Sequence, residues 1–172
     1  MTNPVPRLAR LATAALPLLA ACSGSTTFEI REVFEVDSTA GISDTREVDL
    51  ADLAGEAWDH RNRIDAVTVH SATASILAVG AQNEAPNASA EGVLLRGTGE
   101  NLESARIVDA LVPVEVGRST SGTNLREASR ILERALDSDG LVAVELDAAP
   151  ASGRLQATVE VVVEVEVEWT PF

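Results

Sequence analysis

The chain has 172 residues, enough for about one domain, and carries 13 basic against 27 acidic residues for a formal net charge of −14. Every basic residue is an arginine, which excludes lysine Schiff-base chemistry. The acidic balance weighs against nucleic acid or anionic head groups as direct partners, since both need a basic footprint, and the single cysteine, Cys22, excludes an intramolecular disulfide.

The N-terminus places Arg7 and Arg10 ahead of an apolar run from Leu11 to Ala21. A basic start, a short apolar stretch and small residues before a cut site read as a secretory signal. The run falls short of the roughly 20 apolar residues that a membrane-spanning helix needs, and Pro17 within it argues against a stable crossing helix. Leu19-Ala20-Ala21-Cys22 resembles the lipobox of bacterial lipoproteins, in which a leucine and two small residues precede the cysteine. This resemblance covers residues 1–22 alone. It implies diacylglycerol on the Cys22 thiol, cleavage after Ala21 and acylation of the new amino terminus. Several buried acyl chains anchor stably, at roughly 0.8 kcal/mol per CH₂. Ser23 follows the cysteine where aspartate would favour inner-membrane retention, so for a Gram-negative source the resemblance implies the outer membrane. Residues 1–21 are thus expected as a signal peptide and 22–27 as the lipidated cysteine with a tether reaching at most about 17 Å. Residues 28–172 are expected as one acidic β-rich domain.

Along that domain, Phe28, Ile30, Phe34 and Val36 share a face interrupted by Glu32, with Glu29, Arg31 and Glu35 opposite, which predicts a strand. Leu50 to His60 reads as a short helix with Leu50, Leu53, Ala57 and Trp58 as its apolar stripe. Ile64 to Val79 reads as a strand whose apolar parity changes near His70-Ser71, predicting a β-bulge or bend. Glu91 to Arg96, Ile107 to Val116 and Leu141 to Leu146 are shorter strand candidates. Gly80 to Gly92 and Gly117 to Gly122 read as loops, and Gly97-Thr98-Gly99 as a hairpin turn. Residues 125–136 carry Leu125, Ala128, Leu132, Ala135 and Leu136 at helical spacing. Asn124 and Glu127 suggest a capping box, and Asp137-Ser138-Asp139-Gly140 a stop. Ala157 to Trp169 alternates most cleanly, with valine on one parity and glutamate on the other, as a half-buried strand requires. These elements predict a mainly β, antiparallel sandwich-like domain with two short helices, with an α+β arrangement as the alternative.

Glu160, Glu164, Glu166 and Glu168 form the densest candidate site. Glutamates two apart on a strand lie about 6.6–6.8 Å apart on one face, too spread for one ladder to wrap a hard cation unaided. The preferred reading is a solvated interaction face, paired across strands with arginines such as Arg31 and guarding a valine-rich strand against aggregation. Asp137-Ser138-Asp139-Gly140 resembles the middle of a calcium loop, but Ala135 and Leu146 stand where its first and last ligands belong. His60 and His70 fall in no metal or nucleophile spacing, and Ser71 is expected on the face opposite His70. Trp58 and Trp169 are expected to pack in the core. A lipid-facing barrel is excluded by the glutamates at the parity of Phe172. The expectation is a non-enzymatic, cofactor-free, lipid-anchored envelope protein that binds a partner protein or supports an envelope assembly. The alternatives are a carrier of a small apolar ligand or cation, and a hydrolase assembled around His70 or His60.

Overall fold

A computed structural model describes residues 23–87, 92–98, 103–111 and 113–170. The expected signal peptide, residues 1–21, and Cys22 lie outside the described residues, as do Gly99 and Phe172.

The chain folds into two four-stranded antiparallel sheets that face each other as a sandwich-like, mainly β domain. The first sheet runs in the order β1 (Gly24–Ser38), β8 (Leu155–Trp169), β3 (Ile64–Val79), β6 (Ser119–Ser121). The second runs β2 (Ile42–Asp49), β7 (Leu141–Ala148), β4 (Gly92–Gly97), β5 (Ser104–Val108). β8 lies between β1 and β3, and its valine parity explains why. Val159 is 1% exposed and Val161, Val163, Val165 and Val167 are 0% exposed, each burial contributing about 1.5–3 kcal/mol. Phe28, Ile30, Phe34 and Val36 of β1 join them on the inner face, opposed by Val93, Leu95, Ile107, Val144 and Leu146 of the second sheet.

Helices close the two open sides. One side is covered by α1 (Leu50–Ala54) and α2 (Glu56–Asp59), which pack on β1 and are tied to the second sheet by a 2.8 Å bond from the Leu50 N–H to the Gly140 carbonyl. The other is covered by α3 (Leu125–Leu136), whose buried Ala128, Ile131, Leu132, Ala135 and Leu136 pack against β3 of one sheet and β4, β5 and β7 of the other.

The parity change in β3 is a bulge: Val69 pairs with Val165 and Ser71 with Glu164, leaving His70 as the extra residue. Several expectations are corrected. Gly24 to Thr27 belong to β1, because β8 continues to Trp169 and gives them partners, so of the expected tether only Ser23 precedes the strand. The predicted helix over Leu50 to His60 breaks at Gly55, whose φ of 53° ends α1, and Leu53 is exposed rather than in the stripe. The strand expected over Ile107 to Val116 instead begins at Ser104 and ends at Val108; Pro113 lacks the N–H a ladder needs, and Val114 bonds Pro86 across the loop. Within the expected loop at Gly117 to Gly122, β6 pairs with Thr73 to Ser75. β2 gave no sequence signal because only Val48 of its eight residues is buried. Asn124 stands at φ 54° with no capping bond from its side chain; its amide donates to the Arg106 carbonyl at 2.9 Å, so the predicted capping box does not form.

Candidate interaction face

Because β8 is flanked on both sides, each of its outward glutamates sits in a cross-strand row. The rows are Ser25–Glu168–Ala66, Thr27–Glu166–Thr68, Glu29–Glu164–Ser71, Arg31–Val162–Thr73 and Val33–Glu160–Ser75. Glu29 and Glu164 oppose each other directly, a destabilising pairing for like charges. Their neighbours offset it. Arg31 donates to Glu29 at 2.8 Å and to Glu160 at 2.6 Å, and these bonds, that to Glu29 foremost, raise the guanidinium further above its ordinary pKa. Ser71 donates to Glu164 at 3.3 Å, and the His70 Nε2 lies 2.8 Å from a Glu166 oxygen. Glu168 is the most exposed member of the ladder.

His70 and Ser71 therefore share the outward face, against the expectation that neighbours point to opposite sides. The bulge is the cause, since the extra residue resets the alternation. Each reaches a different glutamate, and no hydrogen bond joins the two, so they do not form a nucleophile with its base. Among the described residues no three His, Cys, Asp or Glu side chains are placed to hold a metal ion.

Sequence reading missed the far end of this face. There Arg154 forks onto Asp37, Nε to one oxygen at 2.6 Å and Nη2 to the other at 2.8 Å, and this pairing holds the Asp37 carboxyl below its ordinary pKa. The parity of Asp37 with Glu35 was a usable signal; the position of Arg154, in the turn before β8, was not.

At the opposite end the two tryptophans are packing residues. Trp169 is 3% exposed and stacks on His60 with centroids 5.8 Å apart and planes 14° from parallel. Its ring also abuts Gly24, where a Cβ would fall 2.4 Å from it. Trp58 lies half-buried against Gly140, whose φ of +80° also disfavours any side chain. Asp137 to Gly140 ends α3, with the Gly140 N–H bonding the Ala135 carbonyl at 2.8 Å.

No known family model and no curated protein matches the chain. Among solved structures, a chain of Desmodium yellow mottle tymovirus is similar at a TM-score of 0.36 and 10% identity, over 99% of this chain and 98% of that one. At that TM-score the likeness carries no argument.

Proposed function

We propose that this chain is a lipid-anchored protein of the bacterial cell envelope, without catalytic activity, whose acidic sheet face engages a partner protein. The observation that carries the anchor is Leu19-Ala20-Ala21-Cys22 placed directly after the apolar run. With β1 starting at Gly24, two residues beyond Cys22, the folded body stands against the membrane rather than on a stalk. The ladder of Glu160, Glu164, Glu166 and Glu168 then begins beside the anchor, and the face extends about 45 Å along β1 to Asp37. Carboxylates interleaved with Ser and Thr suit a basic, extended protein surface. The core favours this role over that of a carrier with an internal cavity, because Phe34, Ile107 and Val161 are wholly buried between the sheets and Leu132 is wholly buried under α3. The outer membrane is the proposed location if the source is Gram-negative, from Ser23 after the cysteine.

Detergent phase partitioning of wild type and Cys22→Ala tests the anchor. Wild type enters the detergent phase and the variant stays aqueous; if both partition alike, the lipoprotein reading is wrong. The face is tested separately by cross-linking in intact envelopes. A partner cross-linked by wild type and lost in Glu164→Lys/Glu166→Lys supports it; the same products from both overturn it.

A further inference from the structure

The arginines are not spread evenly over this acidic molecule. A solvent-open cleft of about 400 Å³ lies between the turn Arg61–Arg63 and the C-terminal half of α3, and Arg61, Arg130 and Arg134 line it together with Asn62 and Ile64. That volume lies within the range of small-ligand sites, about 300–1,000 Å³. We propose that this cleft binds a phosphate-class oxyanion, with Arg61 as the principal donor.

Arg61 is positioned in advance. Its guanidinium stacks over the Trp58 ring at 4.5 Å and donates one N–H to the Trp58 carbonyl at 3.2 Å. Among the described residues it has no carboxylate in ion-pair range, so its remaining donors keep the planar fork that matches an oxyanion. Arg130 and Arg134 stand one helical turn apart on α3. Arg130 has only a loose 3.6 Å approach to Glu127, and Arg134 is held by Glu103 outside the cleft. Two carboxylates, Glu133 and Asp137, also line the cleft, but neither forms an ion pair with the three arginines. They limit the site to one small, strongly hydrogen-bonding anion and work against extended polyanions. Ile64 adds an apolar wall suited to an organic phosphate.

The position of the cleft suggests where such a group would come from. Ile64 and Gly24 are both register partners of Trp169, one on each side, so the cleft opens at the end of the sheet where the chain leaves Cys22. The phosphate is either that of a lipid head group or a free phosphate in solution. The lipid source rests on the proposed anchor; the cleft itself does not.

The test follows the arginine Nε–H resonances of the full chain in non-ionic detergent. Inorganic phosphate is titrated at constant ionic strength, with chloride as control, and mixed micelles carrying phosphatidylcholine and phosphatidylglycerol form the second arm. Saturable shifts at Arg61, Arg130 and Arg134 but not at Arg126 are expected. Arg130→Gln/Arg134→Gln, both exposed positions on α3, should weaken binding about tenfold or more. Saturation by free phosphate assigns a soluble ligand, and saturation by the lipid micelles alone assigns a head group. Response to neither, or equal affinity in the double variant, overturns the proposal. Cys22→Ala should bind free phosphate like wild type, so failure of the anchor would leave this result standing.

Discussion

The first sheet has two long borders, and the molecule protects them by different means. On the β3 side, β6 pairs with only Thr73 to Ser75, which leaves the first half of β3 without a strand neighbour there. Helix α3 lies over it, and the Ser129 hydroxyl accepts the Val69 N–H at 2.9 Å while donating to the Leu125 carbonyl at 2.9 Å. On the β1 side the described residues offer no further strand; α1 and α2 pack on β1, and charge supplies the rest of the protection. Glu29, Arg31, Glu35 and Asp37 face outward, and Glu32 stands on the core-facing parity beside Val161. An inward-pointing charge on an edge strand penalises pairing with another chain, because docking would bury it. One border is satisfied by a hydrogen-bonded helix, and the other, beyond its contacts with α1 and α2, by the cost of acquiring a partner strand. Apolar residues can therefore be placed freely under α3, whereas β1 must keep an acid among its phenylalanines.

The largest effect is expected where a specific hydrogen bond is removed. Ser129→Ala leaves the Val69 N–H without its acceptor beneath the helix, a loss of about 1–3 kcal/mol. Chemical denaturation should show the drop, and amide exchange at Val69 should quicken more than at Val67. An unchanged stability would mean that water replaces the hydroxyl and that α3 shields β3 by packing alone.

Breaking the other border should barely change stability while changing association. Glu32→Val extends the row of Phe28, Ile30, Phe34 and Val36, with a stability change within about 1 kcal/mol of wild type. Sedimentation velocity is expected to show concentration-dependent oligomers in the variant and none in wild type. A monomeric variant would show that the outward charges of β1 suffice without Glu32.

The contrast between the borders also explains what could be read in advance. β8 was legible because β1 pairs with it over its whole length, β3 pairs with it from Ala157 to Trp169, and its inner face meets a second sheet, so burial follows strict alternation. Even the bulge at His70 was legible, since a lost parity is itself a pattern. β2 and β6 were not. An edge strand with one buried side chain, and a three-residue strand of Ser, Thr and Ser, carry no periodicity to find. Of the candidate face, the glutamate ladder was visible and Arg31 was a natural partner for it. The company of His70 and Ser71 depended on the consequence of the bulge, and the pairing of Asp37 with Arg154 joins residues 117 apart.

That last pairing offers the smallest test of the β1 border. It fastens the end of β1 to the turn before β8, and Arg154 lowers the Asp37 pKa from its ordinary 3.8. A carboxyl lowered in the folded state contributes stability above its unfolded pKa and loses it as pH falls through the folded value. Arg154→Gln should therefore leave a small gap below wild type that is constant at neutral pH and closes below about pH 4. Both groups are solvent-exposed, so the gap should shrink as salt is added. Urea unfolding at low salt across the acid range measures it. A gap that persists at the acid end would assign the role of Arg154 to packing of its stem rather than to its charge, and β1 would then be held at that end by contact and guarded by charge only along its length.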